Sequence, residues 1–196
     1  MITLVTDNDT RPFLETERML LRPFQMSDAL DVRRLAGDIR VAEQLARMPH
    51  PYPAGVAEEW ISGQRAEYEA GTNLNFAITL KVSSELMGSI GFVLKEDRLR
   101  SEIGYWLGVP YWGLSYMTEA LEEMIRFGFE DFGLQRIFAV HLATNPASGR
   151  VMEKAGMKLE GFARLGVSQH GKLRDGIQRA IVKPDWEMAR ENDFDG

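Results

Sequence analysis

The chain has 196 residues, 44% hydrophobic and 27% charged, the balance of one globular domain whose core needs no metal or disulfide staple. It contains no cysteine, which excludes a cysteine nucleophile, a thiolate zinc site, an iron–sulfur cluster and a disulfide framework. Twenty-three Lys and Arg against twenty-nine Asp and Glu give a formal charge of −6, which argues against non-specific nucleic-acid binding, since phosphate contacts need a basic face.

The opening MITLVTDNDT lacks the basic region and apolar core of a signal peptide, and no apolar run reaches the roughly 18 residues of a membrane helix, so a soluble, cytoplasmic protein is expected. Residues 1–12 are polar and expected to be loosely held, ahead of a single domain over 13–190. LETERMLLRPF (14–24) alternates like one strand. Ser27 is placed to cap a helix through about Leu35, with Asp28 in its first turn and Arg33 and Arg34 near its end. Residues 37–53 read as a short helix and a loop. A helix follows from about Ala54 to Glu69, with Val56, Trp60 and Ile61 on one face and Gly71 ending it.

Asn75–Val82 and Leu86–Leu94 read as a hairpin, and Glu102–Gly108 as a third strand. The period then changes: Met117, Leu121, Met124, Ile125 and Phe129 fall at helical spacing within 115–133. Arg136–Leu142 is a buried strand, and Asn145–Pro146 opens a helix that Gly156 ends. Residues 157–183 read as two strands around a turn at His170–Gly171. The order β-α-α-β-β-β-α-β-α-β-β implies an α/β domain with one mixed sheet.

Two stretches could hold a ligand. In EIGYWLG–VPYWGLS–YMTEAL, a glycine between strand and helix lets backbone approach closely, and the free amides of the helix's first turn form an anion site. The same pattern also serves as an ordinary structural junction. In RIFAVHLATNPASGRVMEKAGM, Asn145 and Ser148 are either helix-start residues or side chains facing a ligand between this strand end and the previous one.

Five pieces in order resemble the GNAT superfamily of acetyl-CoA-dependent N-acetyltransferases, in the branch that contains the ribosomal-protein N-terminal acetyltransferases RimJ and RimL. They are LETERMLLRPFQMSDA (14–29), GSIGF (88–92), EIGYWLG (102–108), YWG-x-x-Y-x-TEAL (111–121) and N-x-x-S-x-R-V-M-E-K-A-G-M (145–157). The resemblance runs over roughly residues 14–186. It implies a GNAT-like fold in which EIGYWLG splays from RIFAVHL and admits the pantetheine arm of acetyl-CoA. Backbone groups around Trp106, Leu107 and Gly108 would pair with that arm, and an amide there would polarise the thioester carbonyl. The pyrophosphate would rest on the amides of Gly113, Leu114, Ser115, Tyr116, Met117 and Thr118. Asn145 would bind the pantetheine, and Ser148 would lie near the thioester sulfur.

The phosphate loop departs from the branch pattern. Leu114 replaces a polar residue, Ser115 the second glycine and Met117 a small residue. A Cβ at 115 narrows the room for phosphate and a loop cation is lost, although the Ser115 hydroxyl could donate in compensation. A catalytically silent CoA-binding or regulatory module is therefore the alternative to an enzyme.

Without cysteine, an acetyl-cysteine route is closed, and direct transfer needs a base, oxyanion donors and an acid for the thiolate. Glu102, on the strand lining the cleft and on the same face as Gly104, is the leading base candidate, acting through water; a solvated strand-end carboxylate is the plain alternative. Ser148 is the acid candidate by resemblance. His170, in the loop between the last two strands, has a suitable titration range or is a surface histidine. His141 reads as a core residue, and His50 as a loop residue near the acceptor side. Glu119 suits the helix dipole without a catalytic role. Tyr105, Trp106, Tyr111, Trp112 and Tyr116 line the acceptor cleft or pack the core. No Asp/His cluster has metal-ligand spacing, so no metal is expected.

The expected partners are acetyl-CoA and a primary amine, either a peptide N-terminus or a small molecule. No nucleic acid or membrane partner is expected, and a homodimer is possible by resemblance. Residues 134–184 carry nine Lys/Arg against three Asp/Glu, a net of +6 that leaves −12 on the rest. A basic border suits a polyanionic cofactor, and the acidic remainder suits a cationic acceptor.

Overall fold

The structure is a computed structural model and describes residues 10–194. The expectation of a loosely held N-terminus falls, up to residue 9, outside the described residues. The elements are β1 (Leu14–Glu15), β2 (Met19–Arg22), α1 (Ala29–Ala36), α2 (Ile39–Ala42), α3 (Val56–Glu69), β3 (Asn73–Leu80), β4 (Leu86–Leu94), β5 (Arg100–Leu107), α4 (Tyr116–Glu130), β6 (Arg136–Leu142), α5 (Pro146–Lys154), β7 (Lys158–Gln169), β8 (Lys172–Val182) and α6 (Lys183–Phe194). The strands form one mixed sheet in the order β1-β2-β3-β4-β5-β6-β8-β7, as the α/β expectation requires.

Helices cover both faces of the sheet's centre. Asn75 and Phe76 are consecutive in β3 and so point to opposite faces. Asn75 Nδ2 donates to Gln64 of α3, while the Phe76 ring meets Phe127 of α4 edge-on. Double coverage explains why LMGSIGF of β4 is buried without alternation. The β7 edge, by contrast, is exposed along almost its whole length and irregular at two places, between Leu159 and Gly161 and between Ala163 and Val167.

The central feature is a break between β5 and β6. These strands run parallel and pair only at Arg100–Arg136, Ser101–Ile137 and Glu102–Phe138. Beyond that point β5 stays paired to β4 as far as Leu107, and β6 to β8 as far as Leu142. The two strand ends therefore part, as the expected splay requires.

Three local expectations are corrected. Residues 14–24 are not one strand: the amide of Thr16 donates to the carbonyl of Met19 and folds β1 back on β2. Ser27 does not cap α1. Asp28 is the organising side chain, buried, accepting from the Gln25 amide and from both terminal nitrogens of Arg22, so a short 3-10 turn over Met26–Asp28 precedes the helix. The chain also does not end on β8. α6 continues from it, with the Trp186 ring 5.4 Å from that of Phe129.

Candidate active site

The gap between β5 and β6 opens into a cavity of about 590 Å³, within the range that holds a small-molecule ligand. Its walls are Ile103–Leu107 of β5, Val140–Leu142 of β6, the first turns of α4 and α5, and Val41, Gln44 and Leu45 at the end of α2. All five aromatic residues, Tyr105, Trp106, Tyr111, Trp112 and Tyr116, line it, and Tyr111 is at the same time buried in the core. The two readings of that group are therefore compatible. No Asp or Glu lines the cavity among the described residues; its cations are Arg150 and Lys154 of α5.

The open edge of β5 follows from its hydrogen bonds. The Gly108 amide donates to the Met87 carbonyl on the β4 side, whereas the Leu99 carbonyl accepts from Gln135 and Arg136 on the β6 side. Alternation then turns the backbone of Ile103, Tyr105 and Leu107 toward the gap and that of Trp106 toward β4. The Leu107 carbonyl already accepts from the Trp112 indole at 2.8 Å, which fixes the loop beyond the strand. Of Trp106, Leu107 and Gly108, only the Leu107 amide is thus left facing the gap, joined by that of Tyr105; the Ile103 amide is taken up by the last rung to β6, at Glu102–Phe138. Gly104 adds room: a Cβ there would meet nothing within 4 Å.

At the far end, Gly113 and Ser115 have φ of +75° and +63°, turning the loop into the N-terminus of α4. No side chain caps this helix, and its first turn closes with the Glu119 amide donating to the Ser115 carbonyl. The amides of Tyr116, Met117 and Thr118 lie ahead of that bond, without helical acceptors of their own, which leaves the anion-binding arrangement open. A serine takes the left-handed backbone that a glycine takes more cheaply. The loop is gripped from behind by Arg18, a residue the sequence reading passed over. Its guanidinium donates to the Leu114 carbonyl at 3.0 Å and to Glu119 at 2.6 Å, and lies 4.3 Å from the centre of the Tyr116 ring. Glu119 is accordingly structural. Burial pushes its carboxyl up, and hydrogen bonds from Thr16 and Arg18 outweigh that and hold it below its ordinary value.

Where the strands part, Tyr105 of β5 meets Ser148 of α5 across the gap, hydroxyl to hydroxyl at 2.9 Å. The Tyr105 hydroxyl also lies 3.2 Å from the Ser148 carbonyl. Burial pushes the Tyr105 phenol up to about 12, with the Ser148 bond opposing in part, so the phenol keeps its proton at neutral pH. Periodicity identified Tyr105 only as one aromatic among five, because its partner lies 43 residues away. Asn145 Oδ1 accepts from the Ser148 amide as the cap of α5, which leaves its Nδ2 as the group it offers a ligand. His141 is buried, as its place in a strand suggested; its Nδ1 donates to the Leu142 carbonyl at 2.9 Å and its ring packs against Gly149.

Glu102 stands at the base of the gap, in the last paired position of β5 and bonded to Lys95 at 3.4 Å. It is not among the cavity-lining residues; Gly104, about 7 Å further along the same face, is the first on that face. His170 is exposed at the β7–β8 turn with φ of +48°, and His50 is exposed with Nδ1 bonded to the Gly37 carbonyl; neither lines the cavity.

Comparison with known proteins agrees with this geometry. The family model described as acetyltransferase (GNAT) domain matches residues 18–158. An uncharacterized N-acetyltransferase of Bacillus subtilis, YoaA, is 30% identical over 88% of this chain and 98% of its own. The [ribosomal protein uS5]-alanine N-acetyltransferase of Escherichia coli is 26% identical over 90% of this chain and 94% of its own. Among solved structures, Mycobacterium smegmatis RimJ in complex with CoA-disulfide superimposes with a TM-score of 0.77 at 27% identity, covering 90% of this chain and 88% of that one.

Proposed function

The chain belongs to the GNAT acetyltransferase family, whose cosubstrate is acetyl-CoA, and on that premise we propose that it moves the acetyl group directly from acetyl-CoA to a primary amine in the β5–β6 gap. The observation that carries this reading is the Tyr105–Ser148 hydroxyl pair set across a cavity whose β5 edge is unpaired and whose far end is an uncapped helix N-terminus. The site fits the cosubstrate. Gly104 leaves space where a side chain would intrude, the amides of Tyr105 and Leu107 face the arm's path, and Arg150 and Lys154 supply positive charge missing from the loop at Leu114.

In this reading the amine nitrogen attacks the thioester carbonyl, the C–N bond forms, and the C–S bond breaks with its electrons going to sulfur. A β5 amide holds the developing oxyanion. Glu102 takes the amine's proton through water, and Ser148, backed by the Tyr105 phenol, returns a proton to the thiolate. Glu102→Gln is expected to lower kcat and to remove the rising acidic limb of its pH profile. An unchanged profile would discharge Glu102 and leave the base to solvent. Release of free CoA thiol, read without background in a cysteine-free protein, reports turnover against a panel of peptides and small amines. Binding of acetyl-CoA with no release from any amine would favour a silent binding module.

The domain is proposed to span residues 13–190, a range that includes most of α6. Among the described residues no helix is long and apolar enough to cross a membrane.

A further inference from the structure

Beyond the last rung to β6, the open edge of β5 offers the amides of Tyr105 and Leu107 and the carbonyls of Ile103 and Tyr105, since a strand residue turns both of its polar groups to the same side. The Leu107 carbonyl belongs to the same row, but the Trp112 indole already occupies it at 2.8 Å. The turn between these two residues has support of its own. The Gly108 amide donates to the Met87 carbonyl at 2.8 Å, that of Tyr111 to Gly108 at 3.0 Å and that of Trp112 to Val109 at 3.2 Å. Tyr111 is buried, and Leu35 of α1 fills the space beside Gly108. The indole bond is an addition to a turn already held. It comes from a ring that lines the cavity and stays 44% exposed, and it spends the only polar group that ring has.

We propose that Trp112 sets the register of the cosubstrate on β5: by occupying the Leu107 carbonyl it ends the added-strand pairing at the Leu107 amide. The pantetheine arm carries two amides, and pairing that uses alternate residues slips only in steps of two, about 7 Å. A slip toward the α4 loop needs the Leu107 carbonyl as an acceptor, and the indole denies it. In the register that remains, the acyl end stays level with the Tyr105–Ser148 hydroxyl pair. The inference rests on the acetyltransferase reading and adds what fixes the depth the acyl group reaches. Trp112 is a positioning residue, acting through the Leu107 carbonyl.

The test is nuclear magnetic resonance on full-length protein with CoA and with acetyl-CoA carrying 13C at its carbonyl. In the wild type the Trp112 indole N–H, identified by its loss in Trp112→Phe, should exchange slowly with solvent and stay slow when CoA binds. The bound thioester carbonyl should give one signal, moved downfield by the β5 amide that polarises it. Trp112→Phe frees the Leu107 carbonyl, so a second signal near the free position should appear, with CoA affinity kept within about threefold by calorimetry. A single downfield signal in the variant would overturn the proposal. So would an indole that CoA displaces, or a larger loss of affinity, the mark of a direct grip on the ligand. If Trp112→Phe fails to fold, the wild-type indole decides alone, since among the described residues Trp112 has the one indole N–H bonded within the protein. A wild type that binds no CoA overturns the reading of the cleft, and the role of Trp112 with it.

Discussion

Tyr105 illustrates how one buried hydroxyl acquires a chemical role from its surroundings. Desolvation raises its pKa to about 12, so the phenol stays protonated through the range in which an enzyme is assayed, and a protonated donor is what a departing thiolate requires. Tyr105→Phe is expected to lower kcat by about a hundredfold, the low end for a positioned acid, with little change in the KM for acetyl-CoA. If the two hydroxyls act as a unit, Tyr105→Phe combined with Ser148→Ala should cost scarcely more than either alone, which steady-state kinetics on the three variants will decide. Because a group titrating near 12 is fully protonated well above neutrality, Tyr105 should add no descending alkaline limb to the wild-type profile. Gly104 makes a second point at this scale. Its Cβ position is empty space on the cavity wall, so Gly104→Val should change thermal stability by less than about 1 kcal/mol while weakening acetyl-CoA binding at least about tenfold. A fold defect would lower both together.

At the scale of elements, the turn into α4 sets strain against function. Ser115 holds a left-handed backbone that costs an L-residue about 1–2 kcal/mol, of which glycine's extra chain entropy would return part. Ser115→Gly should therefore raise stability by about 0.5 kcal/mol and lower the KM for acetyl-CoA, measured by thermal unfolding and initial rates. Arg18→Met should do the reverse to the cofactor, raising its KM roughly fivefold by releasing the Leu114 carbonyl and Glu119, with kcat largely kept. Element types were legible wherever periodicity was strong. Met117, Leu121, Met124, Ile125 and Phe129 are buried on one face of α4, and the β3–β4 hairpin lies where the apolar runs put it. What local pattern cannot express is partner choice. Arg18 and Glu119 are 101 residues apart, and Gln169 and Glu43 are 126 apart, so neither pairing leaves a trace in sequence spacing. Ser27 misled for a related reason: the turn is organised by Asp28, whose carboxylate is held by Arg22 and the Gln25 amide, and no side chain caps α1. α6 had a readable signal, Pro184 at its second residue and Asp185 in its first turn, but its packing rests on Trp186 and so it has almost no apolar stripe.

Over the whole molecule, charge is divided between the basic 134–184 region and an acidic remainder. Arg150 and Lys154 bring the basic part to the cavity wall, so the KM for acetyl-CoA should rise several-fold between about 0.05 and 0.5 M salt, while that of a neutral-flanked amine moves less. The same basic region carries an acid-labile tie. Arg136 and Gln178 hold the Glu160 carboxyl at about 2, against an ordinary 4.5, linking β7 to β8 and β6. A depressed carboxylate stabilises fully above its unfolded value and loses that contribution as pH falls from about 4.5 toward 2. Glu160→Gln should flatten the acid side of the thermal stability curve over that window and lower stability at pH 7 by the same amount, a modest one since the pair is partly exposed.

The three residue pairs that join β5 to β6 have a mechanical consequence. They act as a short seam between two half-sheets, β1–β5 and β6–β8, each zipped internally by antiparallel ladders. A molecule built this way lends part of its cooperativity to its cosubstrate, because a bound arm laid along β5 stitches the halves where the protein's own ladder stops. Amide hydrogen exchange at Tyr105 and Leu107 should then be fast in the free protein and slow with CoA bound, with the protection spreading into β6 on the far side of the seam.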